Sequence, residues 1–161
     1  MAATTAGTPE GAIRAQWERW SGRPGGKAVF SFLLGRIVPY TGTIGARVEE
    51  LRPGYSRVTL RDRRRVRNHL RSVHAIALMN MAELSTGLAL NVGMRADTRS
   101  ILKGLSIEYL KKARGTLTAE ANAPVLESNE EREITVQTAI RDEAGDVVAT
   151  AEARWLIGPR K

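Results

Sequence analysis

The sequence contains no cysteine, which excludes disulfides, thiol nucleophiles and cysteine-ligated zinc. No apolar run approaches the roughly 18 residues that a membrane-spanning helix needs. The opening segment, MAATTAGTPEG, lacks the basic stretch followed by an apolar stretch that is typical of a signal peptide. We therefore expect a cytoplasmic protein that does not enter a membrane and that begins with a frayed tail of about ten residues.

Aromatic residues make up only 5% of the chain, and there are only two histidines. No basic strand carries the aromatic side chains that stack on bases, which argues against nucleic acid as a partner. No carboxylate-rich cluster is present to complete a metal centre, and no glycine spacing matches a phosphate-binding loop. We expect no metal and no resident cofactor. The net charge of +8 nevertheless favours a partner that carries phosphates.

The length of 161 residues suits a single main domain. Two short helices are predicted, at residues 12–21 and 28–38, with a glycine- and proline-rich break between them and Pro39 at the end of the second. We assign residues 1–42 to an N-terminal tail with these short helices, and residues 43–161 to the main domain.

Beyond residue 43 the hydrophobic pattern predicts an α+β domain. One long helix rich in Ala, Leu and Met is predicted at residues 74–90. Alternating residues predict about six strands, and the pattern is clearest in the last one. Short connections at Arg114-Gly115 and at residues 143–146 favour antiparallel neighbours. The predicted strands begin at Thr43 and continue at residues 55–61, 98–111, 115–122, 132–142 and 146–157.

A single apolar helix beside about six strands is buried most economically if the sheet curls around it. Such a sheet still exposes an edge and part of a face, which a second subunit would cover. We therefore expect a homodimer or a dimer of dimers. The structural alternative is a helix that lies on an ordinary open sheet.

Glu83 is the only acidic or basic side chain between His74 and Met94. If a sheet encloses the helix, this carboxylate must face a cavity, a partner subunit or water, because an isolated buried charge is too costly. The alternative is a solvated stripe of an amphipathic helix, since Glu83 shares its three- and four-residue spacing with Asn80, Gly87 and Asn91.

The segment NHLRSVHAIALMNMAE, residues 68–83, resembles the signature of the hotdog-fold acyl-CoA thioesterases related to the phenylacetic-acid-pathway enzymes. Asn68 stands six residues before His74, and Glu83 stands nine residues after it. The segment YLKKARGTLTAEA, residues 109–121, is a second match. The resemblance covers roughly residues 43–157 and is closest to an uncharacterised, DUF4442-like branch. It implies a hotdog fold, with an antiparallel sheet wrapped around one long central helix behind an N-terminal helical extension.

The resemblance also implies a mechanism, namely hydrolysis of an acyl-CoA. The backbone N–H of Ala75, at the start of the long helix, and the side chain of Asn68 would polarise the thioester carbonyl. Glu83 would activate water or attack as the nucleophile, reaching the site from the opposite subunit. His74 would shape the turn at the substrate site.

Three basic residues, Lys111, Lys112 and Arg114, are our candidates for contacting the phosphates of coenzyme A. The alternative is that they occupy a solvated turn.

The sequence departs from the family pattern at two places that bear on activity. Ala75-Ile76 replaces the common Gly-Gly or Gly-Ala, which keeps the backbone donors but adds bulk where the thioester approaches. Many relatives hold the water with a Ser or Thr on the strand after the helix, where this chain has Leu102, with Ser100 two residues earlier. The alternative function is therefore a non-catalytic acyl-CoA-binding or regulatory hotdog protein. No hydratase-type Asp-to-His motif is present.

Overall fold

The computed structural model describes residues 9–160. These residues contain one long α-helix, three shorter α-helices and one 3₁₀ turn (Arg64–Val66) before it, and six strands. The helices are α1 (Pro9–Trp20), α2 (Gly26–Ile37), α3 (Pro39–Gly42) and α4 (Ala75–Asn91), and the strands are β1 (Arg47–Arg52), β2 (Tyr55–Leu60), β3 (Thr98–Tyr109), β4 (Leu117–Asn122), β5 (Arg132–Arg141) and β6 (Val147–Pro159).

The six strands form one antiparallel sheet in the order β1-β2-β4-β5-β6-β3. Helix α4 contacts every one of these strands, so the sheet curves around the helix rather than passing it on a flat face. This is the hotdog arrangement, and it confirms the fold predicted from the sequence.

Helix α4 is enclosed because apolar and small residues cover most of its circumference. The buried hydroxyls of Ser85 and Thr86 on this helix are hydrogen-bonded to the backbone or to another hydroxyl. The Thr86 hydroxyl donates to the Ala82 carbonyl at 2.9 Å, and the Ser56 hydroxyl donates to the Ser85 carbonyl at 2.7 Å. Burying these hydroxyls with partners avoids the cost of an unpaired polar group. The buried apolar residues of α4 are Ala77, Leu78, Met81, Ala82, Leu88, Ala89 and Leu90.

The connection at residues 142–146 is a hairpin between β5 and β6, as predicted, with Gly145 at φ 87°. The prediction that Arg114-Gly115 joins neighbouring strands is wrong. Strand β3 pairs with β6 at the sheet edge, whereas β4 lies between β2 and β5. The segment between them crosses the start of α4 instead of turning back, because buried Ala113 accepts a hydrogen bond from the Val73 N–H at 2.8 Å.

Helix α2 packs against the sheet through Phe30, which is 1% exposed, and Leu34, in a cluster with residues of β1, β2 and α4. Its Ser31 hydroxyl accepts the Val48 N–H of β1 at 2.9 Å, so α2 also covers the β1 edge. The division of the chain at residues 42 and 43 stays a prediction. The expected frayed tail lies at residues 1–8, outside the described residues, and α1 begins at Pro9. Within residues 9–160, no helix combines the length and apolarity of a membrane span.

Candidate active site

The first turn of α4 presents a free backbone donor. His74 precedes the helix in an extended conformation, and its Nδ1 accepts the Ile76 N–H at 3.1 Å. Such a side-chain cap fixes where the helix begins. The N–H of Ala75 has no acceptor among residues 9–160. This N–H is therefore an available hydrogen-bond donor at the N-terminal, positive end of the helix dipole.

The loop before α4 is organised around the side chain of Asn68. Its Oδ1 accepts from the Leu70 N–H at 2.9 Å, and from both the N–H and the hydroxyl of Ser72 at 3.2 Å. A bridge between Arg67 and Val73 closes the loop. The amide oxygen thus builds the loop, while Nδ2 has no acceptor in the described part of the chain and stays available as a donor beside the helix start.

Tyr109, at the end of β3, reaches the same place. Its hydroxyl donates to the Ala75 carbonyl at 3.0 Å, and burial raises the pKa of that hydroxyl. The contact ties the edge strand to the first turn of α4. Sequence reasoning placed Tyr109 in a matched segment but gave it no role, since a pairing across 34 residues leaves no local signal.

The three residues predicted to contact the coenzyme A phosphates, Lys111, Lys112 and Arg114, differ in whether acidic side chains already pair with them. Lys111 is held between Asp142 at 2.7 Å and Asp146 at 2.6 Å, and these bonds raise the pKa of its ammonium group. Lys112 and Arg114 are exposed and flank buried Ala113. The structure therefore brings Lys112 and Arg114 close to the start of α4 with no hydrogen bond or ion pair in the described part of the chain, although Arg114 lies near enough to Asp62 to help lower the pKa of that carboxyl, whereas the charge of Lys111 is already neutralised.

Glu83 lies in the middle of α4 and is half-buried. Asn80 and Asn91, which lie on the same face of the helix as Glu83, both make hydrogen bonds through their side chains. Asn80 donates from Nδ2 to the Tyr40 carbonyl at 3.2 Å, and the Ser100 hydroxyl lies 2.5 Å from Asn91 Oδ1. Asn80 and Gly87 are buried, so the solvated-stripe alternative does not describe them, whereas Glu83 and Asn91 are half-buried. In contrast to the side chains of Asn80 and Asn91, the carboxylate of Glu83 has no hydrogen bond or ion pair within the described residues.

Two buried polar atoms, one on α4 and one on β6 beside it, lack partners in the described part of the chain. They are Oδ1 of Asn80, a residue 4% exposed, and Nε1 of Trp155, a residue 7% exposed. Asn80 stands one helical turn before Glu83. The Trp155 indole lies against Gly87, one turn after it, where an added Cβ would come within 3.2 Å of the ring. An unmet buried polar atom costs about 1–3 kcal/mol, so both atoms are suited to a polar ligand or water.

One chain does not bring all the predicted residues together. Asn68, His74 and Ala75 meet at the start of α4, close to Lys112 and Arg114. Glu83 is eight residues further along the helix, which corresponds to about 12 Å at about 1.5 Å per residue. A carboxylate at that distance does not reach a carbonyl bound at Ala75 of the same chain. Within residues 9–160, no group of three His, Asp or Glu side chains is arranged to hold a metal ion.

Comparison with known proteins gives a family match. The family model described as "Domain of unknown function (DUF4442)" matches residues 26–157. The structural-genomics protein APC5556 has a TM-score of 0.80 and 31% identity, with 92% of this chain and 99% of that chain covered. A protein of unknown function from Pseudomonas aeruginosa, named a probable thioesterase, has a TM-score of 0.75 and 26% identity, with coverage of 86% and 97%.

A thioesterase family protein from Silicibacter pomeroyi has a TM-score of 0.68 at 18% identity, with 83% of this chain and 97% of that chain covered. At that identity the likeness concerns the fold alone. None of the curated proteins matches this sequence. The match begins at residue 26, so the expectation that the family resemblance begins near residue 43 is wrong: helix α2 belongs to the matched region, in keeping with its packing into the core.

Proposed function

This chain belongs to the DUF4442 family, and from that premise we propose that it is an acyl-CoA thioesterase, which hydrolyses a thioester to free coenzyme A and a carboxylic acid. The observation that carries the proposal is the half-buried Glu83 carboxylate, which has no partner among the described residues, on a helix whose N-terminus presents a free N–H. Two solved relatives of the same fold are named as thioesterases, one of them as probable.

The proposed site is shared between two subunits. Strand β3 is a twelve-residue sheet edge, whereas the β1 edge is covered by α2. Exposed apolar side chains lie near this edge, among them Ile76 at 51% and Ile101 at 46%. An open edge with apolar neighbours favours pairing with a second copy. Two-fold pairing of β3 would run the two α4 helices antiparallel, bringing Glu83 of one protomer toward Ala75 of its partner.

In the proposed reaction the thioester carbonyl accepts hydrogen bonds from the Ala75 N–H and from Nδ2 of Asn68. The Glu83 carboxylate takes a proton from water as the water oxygen attacks the carbonyl carbon. The two donors stabilise the resulting oxyanion. Collapse of this tetrahedral intermediate breaks the carbon–sulfur bond, and the proton held by Glu83 passes to the departing thiolate of coenzyme A. Direct attack by Glu83 would instead give an anhydride that water then hydrolyses.

In this proposal Asn80 holds the attacking water, the role that a Ser or Thr on the strand after the helix has in many relatives. Its Nδ2 is fixed by the Tyr40 carbonyl, and this fixes the direction of the unpartnered Oδ1. A water that donates one hydrogen to Asn80 and the other to Glu83 would be oriented for attack, since i and i+3 side chains on a helix are neighbours. The proposal uses no metal, resident cofactor or nucleic acid, and it retains the predicted cytoplasmic location.

A second candidate function is binding of an acyl-CoA without hydrolysis. It is favoured by the bulk of Ile76 beside the Ala75 donor and by half-buried, apolar Leu102 at the position where relatives hold water. Calorimetric binding of an acyl-CoA that then survives hours of incubation with the protein would support this function over hydrolysis.

The test of the main proposal is thiol release from a panel of acyl-CoAs, which differ in chain length and in aromatic or aliphatic acyl group. We expect turnover with at least one member, and we expect Glu83→Gln to abolish that turnover while the circular dichroism spectrum is unchanged. Exposed Glu127, which has no ion pair in the described residues, provides the matched control Glu127→Gln. Full activity of Glu83→Gln would remove Glu83 from the mechanism.

A further inference from the structure

A concave region apart from the candidate active site lies between α2, α3, β1 and the basic loop that follows β2. It has a volume of about 1140 Å³. Apolar side chains contribute to its lining, including Leu34, Val48 and Leu84. Glu83 does not line this region, although its neighbour Leu84 does. Five arginines surround it, and we call it the arginine cleft: Arg36, Arg47, Arg61, Arg63 and Arg65.

The positive charge of the arginine cleft is not balanced by the protein. Glu49 is the one acidic residue in its lining, and it is already engaged by Arg47 at 3.1 Å and by Lys27 at 3.8 Å. The guanidinium groups of Arg36, Arg61 and Arg65 have no hydrogen bond or ion pair among residues 9–160. Cations in a concave site with low-dielectric walls focus their field on an incoming anion.

Two of these arginines converge on one backbone position. The Arg63 guanidinium donates to the Gly45 carbonyl at 2.9 Å. A Cβ added at Gly45 would collide with the guanidinium ends of both Arg63 and Arg65. Gly45 has φ 62°, a left-handed conformation that favours glycine. Two like charges held this close repel each other, and an anion bound between them would remove the repulsion.

We propose that the arginine cleft binds the phosphate groups of a small phosphorylated ligand. Guanidinium groups match phosphate oxygens in pairs, and the apolar part of the lining would receive the organic portion. The volume is of the size that accommodates a nucleotide-sized molecule. The phosphates come either from the nucleotide of the coenzyme A thioester, a case that rests on the proposed function, or from a separate phosphorylated molecule.

The first test measures binding directly and does not require turnover. Calorimetry is performed with adenosine 3′,5′-diphosphate and with pyrophosphate on the wild type and on Arg63→Gln/Arg65→Gln. We expect binding to the wild type that weakens at least about tenfold in the double variant, since two charge-assisted contacts are lost. Glutamine retains most of the side-chain stem. Arg132→Gln is the matched control, because Arg132 is an exposed arginine on β5.

The second test distinguishes the two sources of phosphate. If the cleft holds the coenzyme A nucleotide, the double variant raises KM for an acyl-CoA about tenfold and leaves kcat and the kinetics of the matching acyl-pantetheine unchanged. If it holds a separate ligand, pyrophosphate binding falls in the double variant while KM for the acyl-CoA does not change. A protein without thioesterase activity that binds pyrophosphate in the cleft would support this inference and remove the proposed function. Wild-type protein that binds neither probe, or binds as tightly in the double variant, overturns the inference.

Discussion

Replacing Asn68 separates the structural role of its side chain from its proposed catalytic role. The variant Asn68→Asp keeps an oxygen that accepts the loop bonds but removes the Nδ2 donor. Loss of one donor to a developing oxyanion lowers kcat by about 10²–10³-fold. The variant Asn68→Ala also removes three accepted hydrogen bonds. At about 0.5–1.5 kcal/mol each, the loss of these three bonds lowers the free energy of unfolding by roughly 1.5–4.5 kcal/mol.

The assay combines thiol release with urea denaturation of both variants. Asn68→Asp is expected to lose activity with a change in unfolding free energy below about 1 kcal/mol, and Asn68→Ala is expected to lose both activity and stability. An equal fall in kcat for the two variants would assign the effect to the missing donor rather than to the new charge of aspartate. Full activity of Asn68→Asp would refute the proposed role of Nδ2.

Three further predictions test the core, the pH dependence and the water contact. Phe30→Ala should lower the free energy of unfolding in urea by about 3–5 kcal/mol because it empties a buried site, and a change below about 1 kcal/mol would show that α2 is not part of the core. The hydrogen bond from Arg67 at 2.6 Å lowers the pKa of Asp62. Because this pKa is lower in the folded protein than in the unfolded chain, the contribution of Asp62 to stability is present above its unfolded value of 3.8 and is lost as the pH falls through the folded pKa. Asp62→Asn should therefore make the thermal midpoint less dependent on pH in the acid range, and an unchanged acid profile would contradict this. Asn80→Leu should lower kcat about 100-fold with little change in KM, and should lower the free energy of unfolding by about 0.5–1.5 kcal/mol because the hydrogen bond to the Tyr40 carbonyl is lost; equal kcat in the variant would remove Asn80 from the mechanism.

Local sequence patterns predict β6 and α4, because in these elements the order of apolar and polar residues follows which side chains are buried. The alternation in β6 is preserved because Ala149, Ala153 and Ile157 all face the core. Helix α4 was predicted from its apolar composition, within one residue at each end. Glu83 stood out because a charge is rare in so apolar a segment. These signals lie within a single element, so no knowledge of distant contacts was required.

Features that depend on distant contacts were not predictable in the same way. The Arg114-Gly115 connection resembled a hairpin, but the bond between Ala113 and Val73 directs that segment across α4. The four residues of α3 are too few for a periodic signal. The bond from Asn80 to Tyr40 spans 40 residues. The arginine cleft forms only when α2, β1 and the loop after β2 are folded together.

The most direct test of the central claim, a thioester site built from two subunits, is complementation between two inactive variants. Glu83→Gln and Asn68→Asp each alter both sites of a homodimer. Mixing, unfolding and refolding the two proteins in equal amounts gives half mixed dimers, each with one intact site, and restores about a quarter of wild-type activity. A mixture that remains inactive, or a wild type that is fully active as a monomer, would contradict the claim.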